Sequence, residues 1–329
     1  MAGKRNIARI KPPSLHSGDS LGIIAPASHF KREDFEAGCA TLRQLGYNPV
    51  YDNSIFEQEL YFAGTLERRV RELEEMFMRD DVKAILCARG GYGANYLLPH
   101  LDLKVISAKP KLFVGYSDLT SLLTYICDST GLVTLHGPMV AKDFSREEGI
   151  DLPSWHCAVE GQAQWELGSA SGVESLSKGS GEGVLYGGGL SMLVASLGTP
   201  YEIHTEGTIL FLEDIAMKPY QIDRMLMHLK LAGKFRGVQG IIFGEMLDCV
   251  QAPNQGYSLQ EVVMRIVGDL GVPVAYGLGS GHVLKQNVTL PLGVMASLNV
   301  AESHVSLRMV ESATLRRPGG REASPLVDT

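Results

Sequence analysis

The chain has 329 residues, too many for one ordinary core, so two domains are expected. A hydrophobic content of 45% is enough for packed cores, and a charged content of 20% argues against disorder. With a net charge of −7 and no basic stripe interleaved with aromatics, neither nucleic acid nor an acidic membrane surface is an expected partner.

The stretch from Met1 to Lys11 is basic, but prolines and polar residues follow it, so no signal peptide is read. No apolar run is long enough to span a bilayer. Ser20–Ala25 reads as a first strand, ended by Pro26. Phe35, Cys39, Leu42 and Leu45 recur at helical spacing, with Gly46 as the stop. Leu66, Val70, Leu73 and Phe77 mark a second amphipathic helix, and Thr65 is its expected N-cap. Val82–Cys87 is a buried strand that runs into Arg89-Gly-Gly-Tyr-Gly93 and a short helical segment, Tyr96–Leu101. Leu112–Val114 is another strand. It passes through Gly115 into a helix carrying Leu119, Leu122, Leu123 and Ile126 on one stripe. This alternation predicts an α/β fold, with an N-terminal, mostly parallel sheet flanked by helices over residues 15–160. Sites in such sheets collect at the carboxyl ends of the strands.

Trp155–Trp165 fits neither period, and Gly168–Gly183 is rich in Gly and Ser, so residues 161–183 are expected to be a linker. Residues 184–313 show further strands and helices without strict alternation, which predicts a second, mixed α/β domain. Residues 314–329 lack periodicity and are expected to form a loose tail. The five cysteines (Cys39, Cys87, Cys127, Cys157 and Cys249) are scattered without C-x-x-C spacing, which suits free thiols in a reducing cytoplasm.

Ser117 lies at a strand-to-helix turn, where the free N–H groups and dipole of the helix can hold an oxyanion. That suits a serine nucleophile, but Ser is also a favoured N-cap. The turn has the first glycine of G-x-S-x-G, Gly115, whereas Leu119 stands in place of the last. A serine nucleophile needs a base and an acid to orient the base. Of nine histidines, His282 stands out, in the glycine-rich loop Gly277-Leu-Gly-Ser-Gly-His282 after a strand over Val272–Tyr276. His136 reads as a hydrogen-bonded core residue and His228 as a residue on the polar side of a helix. Glu213 and Asp214 end an apolar strand, Thr208–Leu212, and point to opposite faces. Both faces are apolar, so alternation does not choose between them. Gly91-Tyr-Gly93 resembles the start of a dinucleotide loop, but Tyr96 occupies the place of its last glycine, so no nucleotide cofactor is expected. Cys87 reads as an inert core thiol, and no H-E-x-x-H or other metal-ligand spacing is present.

Several separated motifs, taken together, resemble the LD-carboxypeptidase family of serine peptidases, the murein tetrapeptide carboxypeptidases. They are Ile24-Ala-Pro-Ala-Ser28, Phe62-Ala-Gly-Thr65, Ala88-Arg-Gly-Gly-Tyr-Gly-Ala94, Gly115-Tyr-Ser-Asp118, His136-Gly-Pro-Met139, Tyr186-Gly-Gly-Gly-Leu-Ser-Met-Leu193, Leu197-Gly-Thr-Pro200, Leu212-Glu-Asp214, Pro219-Tyr-Gln-Ile-Asp-Arg-Met225, Gly281-His282 and Thr289-Leu-Pro-Leu-Gly293. The resemblance runs from about Leu21 to about Arg308. Carried over by position, it implies Ser117 as nucleophile, His282 as general base and Glu213 as the group that orients it, with the active site in the cleft between the two domains. It implies the backbone N–H groups of Gly91 and Asp118 as oxyanion donors, with Gly90 the nearest competitor.

The reaction implied is removal of the terminal D-alanine from an L,D-bond of a peptidoglycan tetrapeptide during cytoplasmic wall recycling, by a homodimer without metal or other cofactor. The substrate's free carboxylate calls for a cation or spare N–H groups; Arg89 is a candidate and is equally readable as a structural arginine of its loop. A sister group of the family cleaves acyl-sulfamoyl-adenylate antibiotics of the microcin C type. The compact interval Tyr201–His282 favours the wall enzyme. A binder of muropeptides without turnover is the alternative from another class.

Overall fold

The computed structural model describes residues 8–168, 172–250 and 256–317. The first half of the chain forms β1 (Ser20–Ile24), α1 (Arg32–Gln44), β2 (Asn48–Val50), α2 (Leu66–Met78), β3 (Val82–Cys87), α3 (Leu103–Ala108), β4 (Leu112–Gly115), α4 (Thr120–Thr130) and β5 (Thr134–His136). α5 (Leu152–Val159) leads to β6 (Trp165–Gly168), β7 (Glu174–Ser177), β8 (Gly179–Gly189), α6 (Leu190–Ala195) and β9 (Thr208–Glu213). The remainder is α7 (Pro219–Leu231), β10 (Gly240–Gly244), α8 (Leu259–Val267), β11 (Val274–Leu278), β12 (Leu290–Leu292), β13 (Met295–Val300) and β14 (Val305–Met309).

Local signals explain many of these boundaries. Thr65 caps α2, its hydroxyl oxygen accepting from the Arg68 N–H at 3.2 Å. Gly131 closes α4 in the left-handed region, at a φ of 80°. β4 and β9 are buried along their whole length, as strands covered on both faces are. The expected helix at Tyr96–Leu101 is instead two short 3-10 turns, Ala94–Tyr96 and Leu98–His100, and α3 begins only after the N-cap Asp102.

The first sheet has six strands in the order β12-β5-β4-β3-β1-β2, with β1 to β5 all parallel. The second has eight, in the order β6-β14-β13-β8-β9-β10-β11-β7. Its central β8, β9, β10 and β11 are parallel, and antiparallel strands extend it on both sides. The fold is therefore α/β, with a mostly parallel sheet and a second, mixed sheet.

Three features depart from the expected division of the chain. The described part of 161–183, which leaves out 169–171, is not a free linker: β6 pairs with β14, β7 with β11, and the start of β8 with β13. Ladder pairing along one edge of each of these segments overrides the weak strand propensity of Gly and Ser. β12 leaves the second half and pairs antiparallel with β5 of the first sheet, Leu290 opposite His136. Residues 314–317 are docked: Leu315 donates its N–H to Pro12 O and accepts from Ser14, each at 2.8 Å, and Arg317 pairs with Asp19. The rest of the expected tail, 318–329, lies outside the described residues. Among the described residues no helix is long and apolar enough to cross a membrane.

Candidate active site

β4 delivers Ser117. After Gly115 the chain is extended at Tyr116 (φ −156°) and then turns sharply at Ser117, whose φ is +65°. That value is unusual for a residue with a β-carbon and marks a strained turn. One 3-10 turn, Ser117–Leu119, then feeds α4, and neither is closed by a side-chain cap. The Ser117 hydroxyl is thus not consumed as a helix cap, and the residue is half-buried.

The next residue ties this turn to the loop after β3. Asp118 Oδ2 accepts from the Ala94 N–H at 2.7 Å. Burial pushes the Asp118 carboxyl up to about 6, against the pull of the Ala94 N–H and of Arg69. Arg69 donates to Pro26 O and Gly93 O, both at 2.9 Å, holding the same loop from behind. Gly90 lies directly against the serine: a β-carbon there would stand 3.0 Å from Ser117 Cβ and 3.3 Å from its Oγ. Gly91 follows at a φ of 98°, between the Ser28 N–H donating to Gly90 O at 3.1 Å and the Tyr92 N–H donating to Ser28 Oγ at 3.0 Å. Arg89 is exposed and donates through Nη1 to His29 O at 3.1 Å. Tyr61, Tyr92 and Tyr96, all partly exposed, pack around Phe62 at the rim of this loop.

β9 delivers Glu213, whose side chain is only 1% exposed, and the loop after β11 delivers His282. Glu213 Oε2 lies 2.7 Å from His282 Nδ1 and also accepts the His282 backbone N–H at 3.1 Å. A carboxylate only accepts, so Nδ1 carries the proton and Nε2 is the free face of the ring. Burial favours the neutral carboxyl of Glu213, but the contacts of His136 and His282 outweigh it and hold the group down at about 2. Burial likewise opposes a charge on His282, and Glu213 overcomes it, so the imidazole binds its proton more tightly than an ordinary histidine. The exposed Lys142 acts in the opposite direction.

The two halves of the site meet at Tyr116. Its ring packs edge-on against His282 with centroids 5.2 Å apart, one residue before Ser117. Gly281, next to His282, lets the loop pass close to Glu213 and His136. At its φ of 90° a β-carbon would fall 2.7 Å from Glu213 Cδ and 2.9 Å from His136 Cε1.

The other sequence candidates fall elsewhere. Asp214 Oδ2 accepts from the Ser191 N–H at 2.8 Å, at the start of α6. His228 is exposed on α7. Cys87 is fully buried, and burial pushes its thiol well up. His136 is buried as expected, with Nδ1 3.0 Å from Ser280 Oγ. Its Nε2 also stands 3.8 Å from Glu213 Oε1, which periodicity did not foresee. The loop-tying role of the Asp118 side chain was also missed. The only sequence signals at these places were the motifs His136-Gly-Pro-Met139 and Gly115-Tyr-Ser-Asp118.

Residues 21–137 match the LD-carboxypeptidase N-terminal domain and residues 182–298 the LD-carboxypeptidase C-terminal domain. The chain is 38% identical over 295 residues to the probable murein peptide carboxypeptidase of Bacillus subtilis (strain 168), covering 89% of this chain and 92% of that protein. It is 30% identical over 331 residues to the microcin C7 self-immunity protein MccF of Escherichia coli, covering 89% and 94% respectively. The crystal structure of a muramoyltetrapeptide carboxypeptidase from Oxalobacter formigenes superposes with a TM-score of 0.79 at 29% identity, over 89% of this chain and 99% of that one. With both domains matched in order along one chain, and with a relative of this identity along nearly its whole length, the protein belongs to the LD-carboxypeptidase family.

Proposed function

We propose that this chain is a serine carboxypeptidase that removes the terminal D-alanine from an L,D-peptide bond of peptidoglycan tetrapeptides. The observation that carries the reading is the pair of buried Glu213 and half-buried His282, bonded at 2.7 Å, packed through Tyr116 against the strained Ser117 turn.

In this reading Glu213 holds the His282 tautomer with Nδ1 protonated, leaving Nε2 to take the Ser117 proton as Oγ attacks the scissile carbonyl. The backbone N–H groups of Gly91 and Asp118 receive the oxyanion. His282 then protonates the leaving D-alanine amine, and an acyl-enzyme remains on Ser117. Water, deprotonated by His282, hydrolyses that ester and returns the proton to Ser117. The second guanidinium nitrogen of Arg89, beyond the bond to His29 O, is the cation offered to the substrate carboxylate.

The setting proposed is the cytoplasm. In support, the cysteines of the described residues are all free, and four of the five are buried. A homodimer is proposed on family resemblance.

Mass spectrometry of a disaccharide tetrapeptide incubated with purified protein and a chelator tests the reading, beside Ser117→Ala. D-alanine release by the parent alone is the expected result. Equal release by Ser117→Ala removes that serine from its role. The likeness to MccF favours a second reading, hydrolysis of acyl-sulfamoyl adenylates. Cleavage of such a compound with no D-alanine release from the tetrapeptide would select it.

A further inference from the structure

His136 ends β5, fully buried between the rings of Tyr116 and Phe211, with centroids at 5.8 and 5.1 Å. Its protons can be assigned from its neighbours. The hydroxyl of Ser280 has one hydrogen, and it donates that hydrogen to Val288 O at 2.8 Å. The 3.0 Å contact between Ser280 Oγ and His136 Nδ1 must therefore run the other way, with Nδ1–H donating to the oxygen. Nε2 is left facing Glu213 Oε1 at 3.8 Å. Both atoms are buried, and neither has a hydrogen bond. With a bare Nε2, a lone pair would face a carboxylate oxygen, leaving two buried acceptors opposed. A proton on Nε2 turns that opposition into attraction.

We propose that His136 is a positioning residue for Glu213, carrying a proton on Nε2 toward Oε1. It holds the carboxylate so that Oε2 is presented to His282. Glu213 is then clasped by two imidazoles, one on each oxygen, and the Ser280–Val288 bond anchors the second. This rests on the reading of Glu213 as the group that orients His282. The other titratable groups that act on the pair are Asp214, Tyr116 and Cys249 around Glu213, and Lys142 toward His282. Among these, Lys142 is the only cation and is exposed, so none of them supplies the missing buried donor to Oε1.

The test has a spectroscopic and a kinetic arm. In the full chain labelled with 15N-histidine, the His136 signals, assigned by their loss in His136→Gln, should show a proton on Nε2, the nitrogen that faces Glu213. In the D-alanine release assay, His136→Phe should lower kcat about a hundredfold with KM within about twofold. His136→Gln, which restores an N–H donor, should recover about tenfold of that loss. A bare Nε2 overturns the proposal. So does a folded His136→Phe protein with parental kcat, or a kcat that His136→Gln leaves as low as His136→Phe does. If the parent releases no D-alanine, the proposed function fails, and the nitrogen spectrum still decides the role of His136.

Discussion

Ser117 sits at a φ of +65°, where a side chain other than glycine is disfavoured, and its hydroxyl caps no helix. Strain of this kind, beside the Asp118–Ala94 bond and the close approach of Gly90, suits the nucleophile role proposed for Ser117. Ser117→Ala should therefore lower turnover on the order of a million-fold while leaving the fold intact, as single-turnover kinetics and circular dichroism can show. The pH profile follows from His282. In the proposed mechanism it acts as a base only when neutral, and its pKa is raised above the ordinary value of 6.5. Activity should fall as pH drops through that raised value, so the acid limb of kcat/KM should lie above 6.5. Glu213→Gln removes the carboxylate and leaves burial as the dominant influence, so the limb should move to lower pH while kcat falls roughly ten-thousand-fold. Serine and histidine were legible as candidates because each ends a strand or lies in a glycine-rich loop just after one. The choice between Glu213 and Asp214 was not legible from alternation, because both faces of β9 are buried, and rested on the family resemblance. Packing separates the two: Glu213 meets His282, whereas Asp214 meets the start of α6.

At the scale of elements, α2 braces the loops behind the site. Its apolar stripe was readable from spacing, but three of its polar residues, Arg68, Arg69 and Glu72, are buried as well. Arg68 donates to Ala63 O at 3.0 Å and Ala25 O at 3.1 Å, while Glu72 accepts the Ala25 N–H at 2.8 Å and pairs with Arg68 at 3.0 Å. Helical periodicity assigns such residues to solvent; it cannot register the backbone groups at the end of β1 that they satisfy. Burial lifts the Glu72 carboxyl to about 7, against the pull of Arg68. Glu72→Ala would leave the Arg68 charge buried and uncompensated, and should cost about 3–5 kcal/mol in urea unfolding. The neighbouring pair Arg71–Glu75 has the same spacing, but its side chains are 63% and 66% exposed. Glu75→Ala should therefore cost about 0–1 kcal/mol in the same experiment. The contrast tests burial rather than charge, since both variants remove one carboxylate four residues from an arginine.

Over the whole molecule, the two sheets are less separable than composition suggested. The Gly- and Ser-rich segment that read as a linker is paired into the second sheet, β12 returns to the first, and Leu315 and Arg317 are fastened to the N-terminal segment. One buried cluster includes Leu86 and Leu135 from the first sheet together with Leu185, Phe211 and Leu298 from the second. Strand alternation in the first half was legible because each unit is local in sequence. The return of β12 was not, because its pairing joins residues far apart in the chain, and a three-residue strand carries too little pattern to name its partner. This connection bears on the site, since Ser117 comes from the first sheet, whereas Glu213 and His282 come from the second. If the halves were independent, their relative placement would drift by more than a hydrogen bond tolerates, and the geometry around Tyr116 would not persist. A shared core and an exchanged strand instead couple the halves energetically. Calorimetry should then show a single cooperative transition, and Leu290→Asp, placed in β12, should lower its midpoint without splitting it. Two resolved transitions in the parent would show that each sheet holds its own structure and that a hinge between them sets the distance from Ser117 to His282.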